Sequence, residues 1–155
     1  MTDQNDNHVK ILFNFYSDVL DEQTIETMWA KTVDSQKGLY KIDNIPFYAS
    51  IAADDIVLAA YDEIEQMLTY RKTVEYSGNS TVQVVLLDKN IVTNDIRDIL
   101  HSLGCETEKL KEGYFVINVP STQDYTPIKN ELMEMEKNGI IEYAEPWLSE
   151  KHWDK

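Results

Sequence analysis

The sequence predicts an α+β fold, and three observations predict it. From His8 to about Asp88 the apolar residues recur mostly with period two; beyond Ser80, strand-like runs alternate with two stretches of helical period; between them, Ser77-Gly78-Asn79-Ser80 is the sharpest break in the chain. Residues 8–78 are therefore expected to form a small β-barrel-like lobe, and residues 79–148 a ferredoxin-like βαββαβ two-layer sandwich, with flexible tails at 1–7 and 149–155.

In the first lobe Val9, Ile11, Phe13 and Phe15 alternate along one face of a strand, while Leu12 and Tyr16 make its other face only partly polar. A second strand is expected over Thr27 to Val33. Gly38 turns the chain into a third at Leu39 to Ile42, which ends at Ile45-Pro46 because proline lacks the ladder N–H. Phe47 to Ala53 reads as a helical turn, Ile56 to Tyr61 as a buried strand, Asp62-Glu63-Ile64-Glu65 as an acidic connection and Met67 to Tyr76 as the return strand.

In the second lobe Thr81 to Leu87 reads as a strand. Ile96, Ile99, Leu100 and Leu103 follow at the i, i+3, i+4, i+7 spacing of an amphipathic helix, with Thr93 or Asn94 as its cap and Gly104 after it. Cys105 to Leu110 and Tyr114 to Val119 form a hairpin around Lys111-Glu112-Gly113. Thr126-Pro127 opens a second helix carrying Ile128, Leu132 and Met135 on one side, and Asn138-Gly139 closes it. Ile140 to Tyr143 supplies the last strand, and Glu145-Pro146-Trp147-Leu148 ends the ordered part.

The 155 residues carry a formal charge of -14. Such a surface repels phosphate backbones and anionic membranes and steers basic partners toward it, so neither nucleic acid nor membrane is expected as a partner. The plain alternative is that acidity serves solubility. One cysteine, Cys105, excludes an internal disulfide and fits a reducing compartment. No apolar run suits a signal peptide or a membrane span, so the cytoplasm is the expected location.

Four fragments carry a resemblance: Glu26-Thr27-Met28-Trp29-Ala30, Tyr40-Lys41-Ile42-Asp43-Asn44-Ile45-Pro46-Phe47-Tyr48-Ala49, Ser77-Gly78-Asn79-Ser80-Thr81-Val82 and Leu103-Gly104-Cys105-Glu106. Together they resemble the bacterial domain-of-unknown-function family four-two-six-five, over about Val9 to Leu148, the segment Asp43 to Phe47 being the most specific. Asp54 stands where glycine is common in that family and Asn79 where histidine is common. The resemblance implies a bacterial, stand-alone protein and brings no activity with it.

Each candidate site has a plain counterpart. Asp43-Asn44 could present a carboxylate and an amide, or simply bond their own turn. The Ser77 to Ser80 loop has the makings of an anion nest or nucleophile loop, but lacks the G-x-S-x-G elbow. His8, His101 and His152 show no metal-binding spacing, and Cys105 lies beside Glu106, whose charge opposes thiolate formation. Asp54-Asp55, Asp62-Glu63 and Glu65 crowd one stretch of the first lobe, with Glu131, Glu134 and Glu136 as a second acidic group; solvated faces are their plain reading. Core packing is expected for most of Trp29, Tyr40, Phe47 and Tyr48, with Tyr48 the one expected to be partly exposed.

The expected function is non-enzymatic, with no cofactor and no metal: an acidic module that binds a basic protein such as a cognate toxin or nuclease, as an immunity or antitoxin-type inhibitor does. Its expected contacts are Asp54, Asp55, Asp62, Glu63, Glu65 and Tyr48, with Glu131, Glu134 and Glu136 as the alternative footprint. A small-molecule-sensing regulatory module and a hydrolase using scattered carboxylates or the Ser77 to Ser80 loop remain open.

Overall fold

The computed structural model describes residues 8–153, and the chain divides after Ser77 into two units, each built around its own apolar cluster. Among the described residues there are two sheets and two α-helices, an α+β architecture. The expected tail at 1–7 lies outside the described residues.

The first unit contains β1 (His8–Ser17), β2 (Glu22–Asp34), β3 (Leu39–Ile42), β4 (Ile56–Asp62) and β5 (Met67–Glu75). Neighbours in this order pair antiparallel, and β1 also meets β5 in parallel, so the five strands close on themselves. That closing contact is short: its register consists of Ile11↔Leu68 and Leu12↔Thr69. Because side chains alternate along a strand, Ile11, Phe13, Met28, Ala30, Tyr40, Ile42, Val57 and Ala59 meet in one cluster, where the Phe13 and Tyr70 rings stack at 4.7 Å.

β2 begins at Glu22, not at Thr27. Its first inward positions, Glu22, Thr24 and Glu26, are polar, so no apolar alternation announces it. Long antiparallel pairing with β1, from His8↔Lys31 to Ser17↔Glu22, holds it instead. Gly38, at φ +74, makes the turn into β3; a Cβ there would lie 2.9 Å from the Ala59 carbonyl oxygen, while the Gly38 carbonyl accepts the Ala59 N–H.

The expected helical turn over Phe47 to Ala53 is absent: these residues form bends and irregular chain. Its N–H groups are used elsewhere. Phe47, Tyr48 and Ala49 donate theirs to the Glu26 carboxylate at 2.7, 3.1 and 3.0 Å, and Ala52 donates to Asp55.

The second unit runs β6 (Ser80–Leu86), α1 (Thr93–Ser102), β7 (Glu106–Lys111), β8 (Tyr114–Val119), α2 (Thr126–Lys137) and β9 (Ile141–Trp147). Its sheet has the order β7-β8-β6-β9 with antiparallel neighbours throughout. Ile96 and Leu100 of α1 and Ile128, Leu132 and Met135 of α2 join Val82, Val84, Phe115 and Ile117 of the central strands in one buried cluster. No side chain at the residue before α1 caps it; the Glu112 carboxylate, from the turn between β7 and β8, takes the Thr93 N–H and hydroxyl at 2.9 and 2.6 Å. Hydrogen bonds from Thr93, first the hydroxyl and then the N–H, hold the Glu112 carboxyl below the usual carboxylate range.

The C-terminal stretch departs from a flexible tail at Ser149 to His152. A 3-10 turn covers Glu150–His152, Ser149 and His152 are buried, and the Trp153 indole donates to the Leu148 carbonyl. Polar composition concealed this because the stretch is held by hydrogen bonds, not by an apolar stripe.

Phe115→Ala, at the centre of the second cluster, is expected to cost about 3–5 kcal/mol in urea unfolding, whereas Ile99→Ala on the exposed side of α1 should stay within about 0.5 kcal/mol.

Candidate functional site

One serine and one histidine separated by most of the second unit's sequence meet inside it. Ser80 Oγ lies 2.5 Å from His152 Nδ1, and His152 Nε2 lies 3.0 Å from the Pro120 carbonyl oxygen. A carbonyl only accepts, so Nε2 carries the proton and Nδ1 accepts from the Ser80 hydroxyl. Ser80 Oγ in turn accepts the Ser149 N–H at 2.8 Å. Every polar atom of the pair is thus committed, and with Ser80 at 0% and His152 at 5% exposure neither side chain reaches a substrate. The pair fastens the C-terminal turn to the start of β6.

Beside it, the Tyr125 hydroxyl donates to Glu145 at 2.5 Å, and the Lys129 ammonium donates to the same oxygen at 3.0 Å and lies over the Tyr143 ring. Burial, reinforced by Glu145, pushes the Tyr125 hydroxyl's pKa far up, so it remains a donor. Burial alone would lower the Lys129 pKa, but its bonds to Tyr143 and Glu145 outweigh that and raise it.

The other expected site residues separate. His8 meets Asp43 at 3.1 Å and His101 meets Thr107 at 2.7 Å, so the three histidines have three different partners. Among the described residues no group of three or more His, Cys, Asp or Glu side chains is placed to hold a metal ion. Cys105 is buried, and burial pushes its thiol up to about 12. Asn44 accepts the Trp29 N–H and Asn79 the Ser121 N–H, each holding a connection in place.

The acidic stretch of the first unit is not one footprint. Asp54 precedes β4 and Asp62 ends it, so the two groups stand roughly 20 Å apart along the strand. Asp55 is wholly enclosed, its carboxylate accepting the Ala52 and Ser77 N–H groups; burial pushes its pKa up against those bonds. It offers nothing to a partner. Asp54 is exposed and has φ 70, the left-handed region that favours glycine. Tyr48 is half-buried. Glu134 and Glu136 lie exposed on α2, and Glu131 is half-buried there.

At the far end of β4 the structure does assemble something. The turn from β4 to β5 is tied by Asp62, whose carboxylate accepts the Ile64 and Glu65 N–H groups at 2.9 and 3.1 Å. This leaves Ile64 90% exposed between Glu63 and Glu65. Asp62, Ile64 and Glu65 line an open cavity of about 490 Å³ with Leu12 and Asn14 of β1, Gln23 of β2, and Thr69, Tyr70 and Arg71 of β5. The signal legible in sequence was the isolated isoleucine in an acidic turn; the β1 and β5 residues left none, because only the parting of those strands brings them together.

This arrangement defines a two-unit α+β protein with an open concavity in its first unit that is polar, acidic and edged by an apolar side chain. Residues 26–143 match the family described as a domain of unknown function, DUF4265, and the chain belongs to that family. A structure described as a "Novel crystal structure of a hypothetical protein from Neisseria gonorrhoeae" is similar at a TM-score of 0.78 and 25% identity, over 91% of this chain and 95% of that one. Among curated proteins none matches.

Ser80→Ala strips His152 Nδ1 and the Ser149 N–H of their partner, and is expected to cost about 1–3 kcal/mol in chemical denaturation while loosening Ser149 to Trp153 in hydrogen exchange. Asp54→Ala should be about 1 kcal/mol less stable than Asp54→Gly, since only glycine meets φ 70 without a Cβ penalty. Cys105 should resist iodoacetamide at neutral pH until the chain unfolds; rapid labelling of the native protein would contradict its enclosure.

Proposed function

We propose that this protein is a non-enzymatic binding module that occludes a basic protein, as a bacterial immunity or antitoxin-type inhibitor of a toxin or nuclease does, and that it acts in the cytoplasm. The observation that carries this reading is the turn Asp62 to Glu65: an isoleucine 90% exposed, flanked by carboxylates, on the rim of a cavity. Exposed large apolar side chains beside charge suit a contact in which the apolar group anchors and the carboxylates steer. The formal charge of -14 extends that steering over the molecule.

The footprint narrows to Asp62, Glu63, Ile64 and Glu65. Asp55 drops out, Asp54 and Tyr48 belong to the other end of β4, and Glu131, Glu134 and Glu136 of α2 remain the alternative surface. The strand order β7-β8-β6-β9 supports a ferredoxin-like layout for the second unit, and the closed order of β1 to β5 supports a barrel-like layout for the first. The cavity volume favours one second reading, a module that senses a small polar molecule. A hydrolase built on Ser80 has less support, because the enclosed hydroxyl already serves His152 and Ser149.

The test is affinity capture with the wild-type chain and two charge reversals: Asp62→Lys with Glu63→Lys and Glu65→Lys, and separately Glu131→Lys with Glu134→Lys and Glu136→Lys. A basic protein should be retained by the wild type and by the α2 variant but lost by the turn variant. Salt at physiological strength screens exposed charges beyond roughly 8 Å, so the captured protein's association rate should fall with added salt, and its dissociation rate should rise chiefly on Ile64→Ala. Capture that is indifferent to all six reversals would leave acidity as a matter of solubility.

A further inference from the structure

The cavity owes its existence to a strand pairing that stops early. Trp29 directs its backbone away from β1: its N–H goes to Asn44 Oδ1 and its carbonyl accepts the Asp43 N–H. Its register partner Lys10 therefore sits in a non-hydrogen-bonded pair, and since such pairs alternate along an antiparallel ladder, so do Leu12, Asn14 and Tyr16. Their N–H and C=O groups point toward the β5 side. Leu12 finds its partner there, opposite Thr69, and the register between the two strands ends at that pair. Among the described residues Asn14 and Tyr16 have no strand opposite them on that side, and because Ala59, the register partner of Tyr70, turns its N–H to Gly38, the ladder phase directs the Tyr70 carbonyl, which the next rung would have used, to the same gap. Asn14, Tyr70 and Arg71 line the cavity that fills it.

We propose that this gap receives an extended segment of the partner, which pairs with the free edge of β1 at Asn14 and places a lysine or arginine side chain against Glu65 and Asp62. The inference rests on the binding-module reading and names how the partner is held. Unpaired strand edges pair with added strands, their backbone groups supplying affinity and the neighbouring side chains supplying specificity. Charge complementarity selects the occupant. Two carboxylates, Asp62 and Glu65, line the cavity with one guanidinium, Arg71, and Asp18, Asp21 and Glu22 crowd the end of the β1–β2 hairpin. Among the described residues the Glu65 carboxylate has no hydrogen-bond or ion-pair partner, while Ile64 stands ready beside it for an apolar residue next to the basic one. The amides of Asn14 and Gln23, already bonded to each other at 2.7 Å, form the polar wall along which the segment would run.

The experiment uses the full chain and a short capped peptide in which an arginine is flanked by valines, followed by two-dimensional amide NMR and hydrogen exchange. Binding should shift the amides of Asn14, Tyr16, Tyr70 and Arg71 and slow exchange at Asn14 about tenfold or more. Methylating alternate backbone nitrogens of the peptide, exchanging its arginine for glutamate, or introducing Glu65→Lys should each raise Kd at least about tenfold. Asn14→Pro removes a backbone N–H that no ladder among the described residues uses, together with the side-chain bond to Gln23, and should abolish binding with the fold retained, whereas Asn14→Ala, which loses that side-chain bond alone, should still bind; should the proline variant unfold, the methylated peptide carries the same comparison.

Absence of any shift at millimolar peptide, shifts confined to other surfaces, or indifference to backbone methylation would overturn the proposal. So would an Asn14 amide whose protection rises with protein concentration alone, because a second copy would then occupy the edge. A captured basic protein lost on reversal of Asp62, Glu63 and Glu65 but indifferent to Asn14→Pro would remove strand addition and leave the binding module standing.

Discussion

The first unit depends on one carboxylate. Glu26 gathers the N–H groups of Phe47, Tyr48 and Ala49, the residues that follow Pro46, and so binds the long connection between β3 and β4 to the middle of β2. Without that acceptor three backbone donors on a half-buried loop would need water or another partner, and each lost partner costs about 1–3 kcal/mol. Asn44 works alongside by taking the Trp29 N–H just beyond the point where β3 leaves β2. Because Trp29 is thereby committed outward, the pairing phase of the whole β1 and β2 ladder is set, and with it the direction in which the Asn14 amide points. Asp43 to Ala49 thus acts at a distance on the opposite side of β1.

Two other polar groups do comparable work elsewhere. Asp55 bridges the N–H groups of Ala52 and Ser77, and Ser80 with His152 fastens the C-terminal turn through Ser149 and Pro120. All three arrangements pair residue types that catalytic centres also use, a carboxylate on backbone N–H groups or a serine on a histidine. What separates them from chemistry is saturation: the atoms that would act on a substrate are spent on the fold, and at Asp55 and the Ser80–His152 pair enclosure also keeps a substrate out.

The fold was legible wherever an apolar period carried it. Ile96, Ile99, Leu100 and Leu103 marked α1, Thr126-Pro127 marked the start of α2, and the alternation from Val9 to Phe15 marked β1. It was illegible where polar contacts carry the structure. The first half of β2 has polar side chains at its inward positions, the bends at Phe47 to Ala53 answer to Glu26, more than twenty residues earlier, and the C-terminal turn is secured by a histidine in a run of charged residues. The site was half legible for the same reason. Asp62 to Glu65 showed itself as an acidic turn holding an isoleucine, but one continuous acidic stretch in sequence became two groups at opposite ends of β4, and Asp55 went inside. Leu12, Asn14 and Arg71 could not be read at all, because a ladder that stops after two rungs is a property of strand curvature and not of any residue.

An open strand edge is ordinarily a hazard, since it pairs with any other edge, including that of an identical chain. The composition here answers that hazard in a way that also selects. A molecule carrying -14 repels its own copies, and the edge at Asn14 lies between the acidic turn Asp62 to Glu65 and the acidic hairpin end Asp18 to Glu22, so two identical edges would bring carboxylates face to face. The same charges would attract the basic strand proposed above. Under that proposal, self-avoidance and partner choice follow from one distribution of carboxylates, which lets the edge stay open.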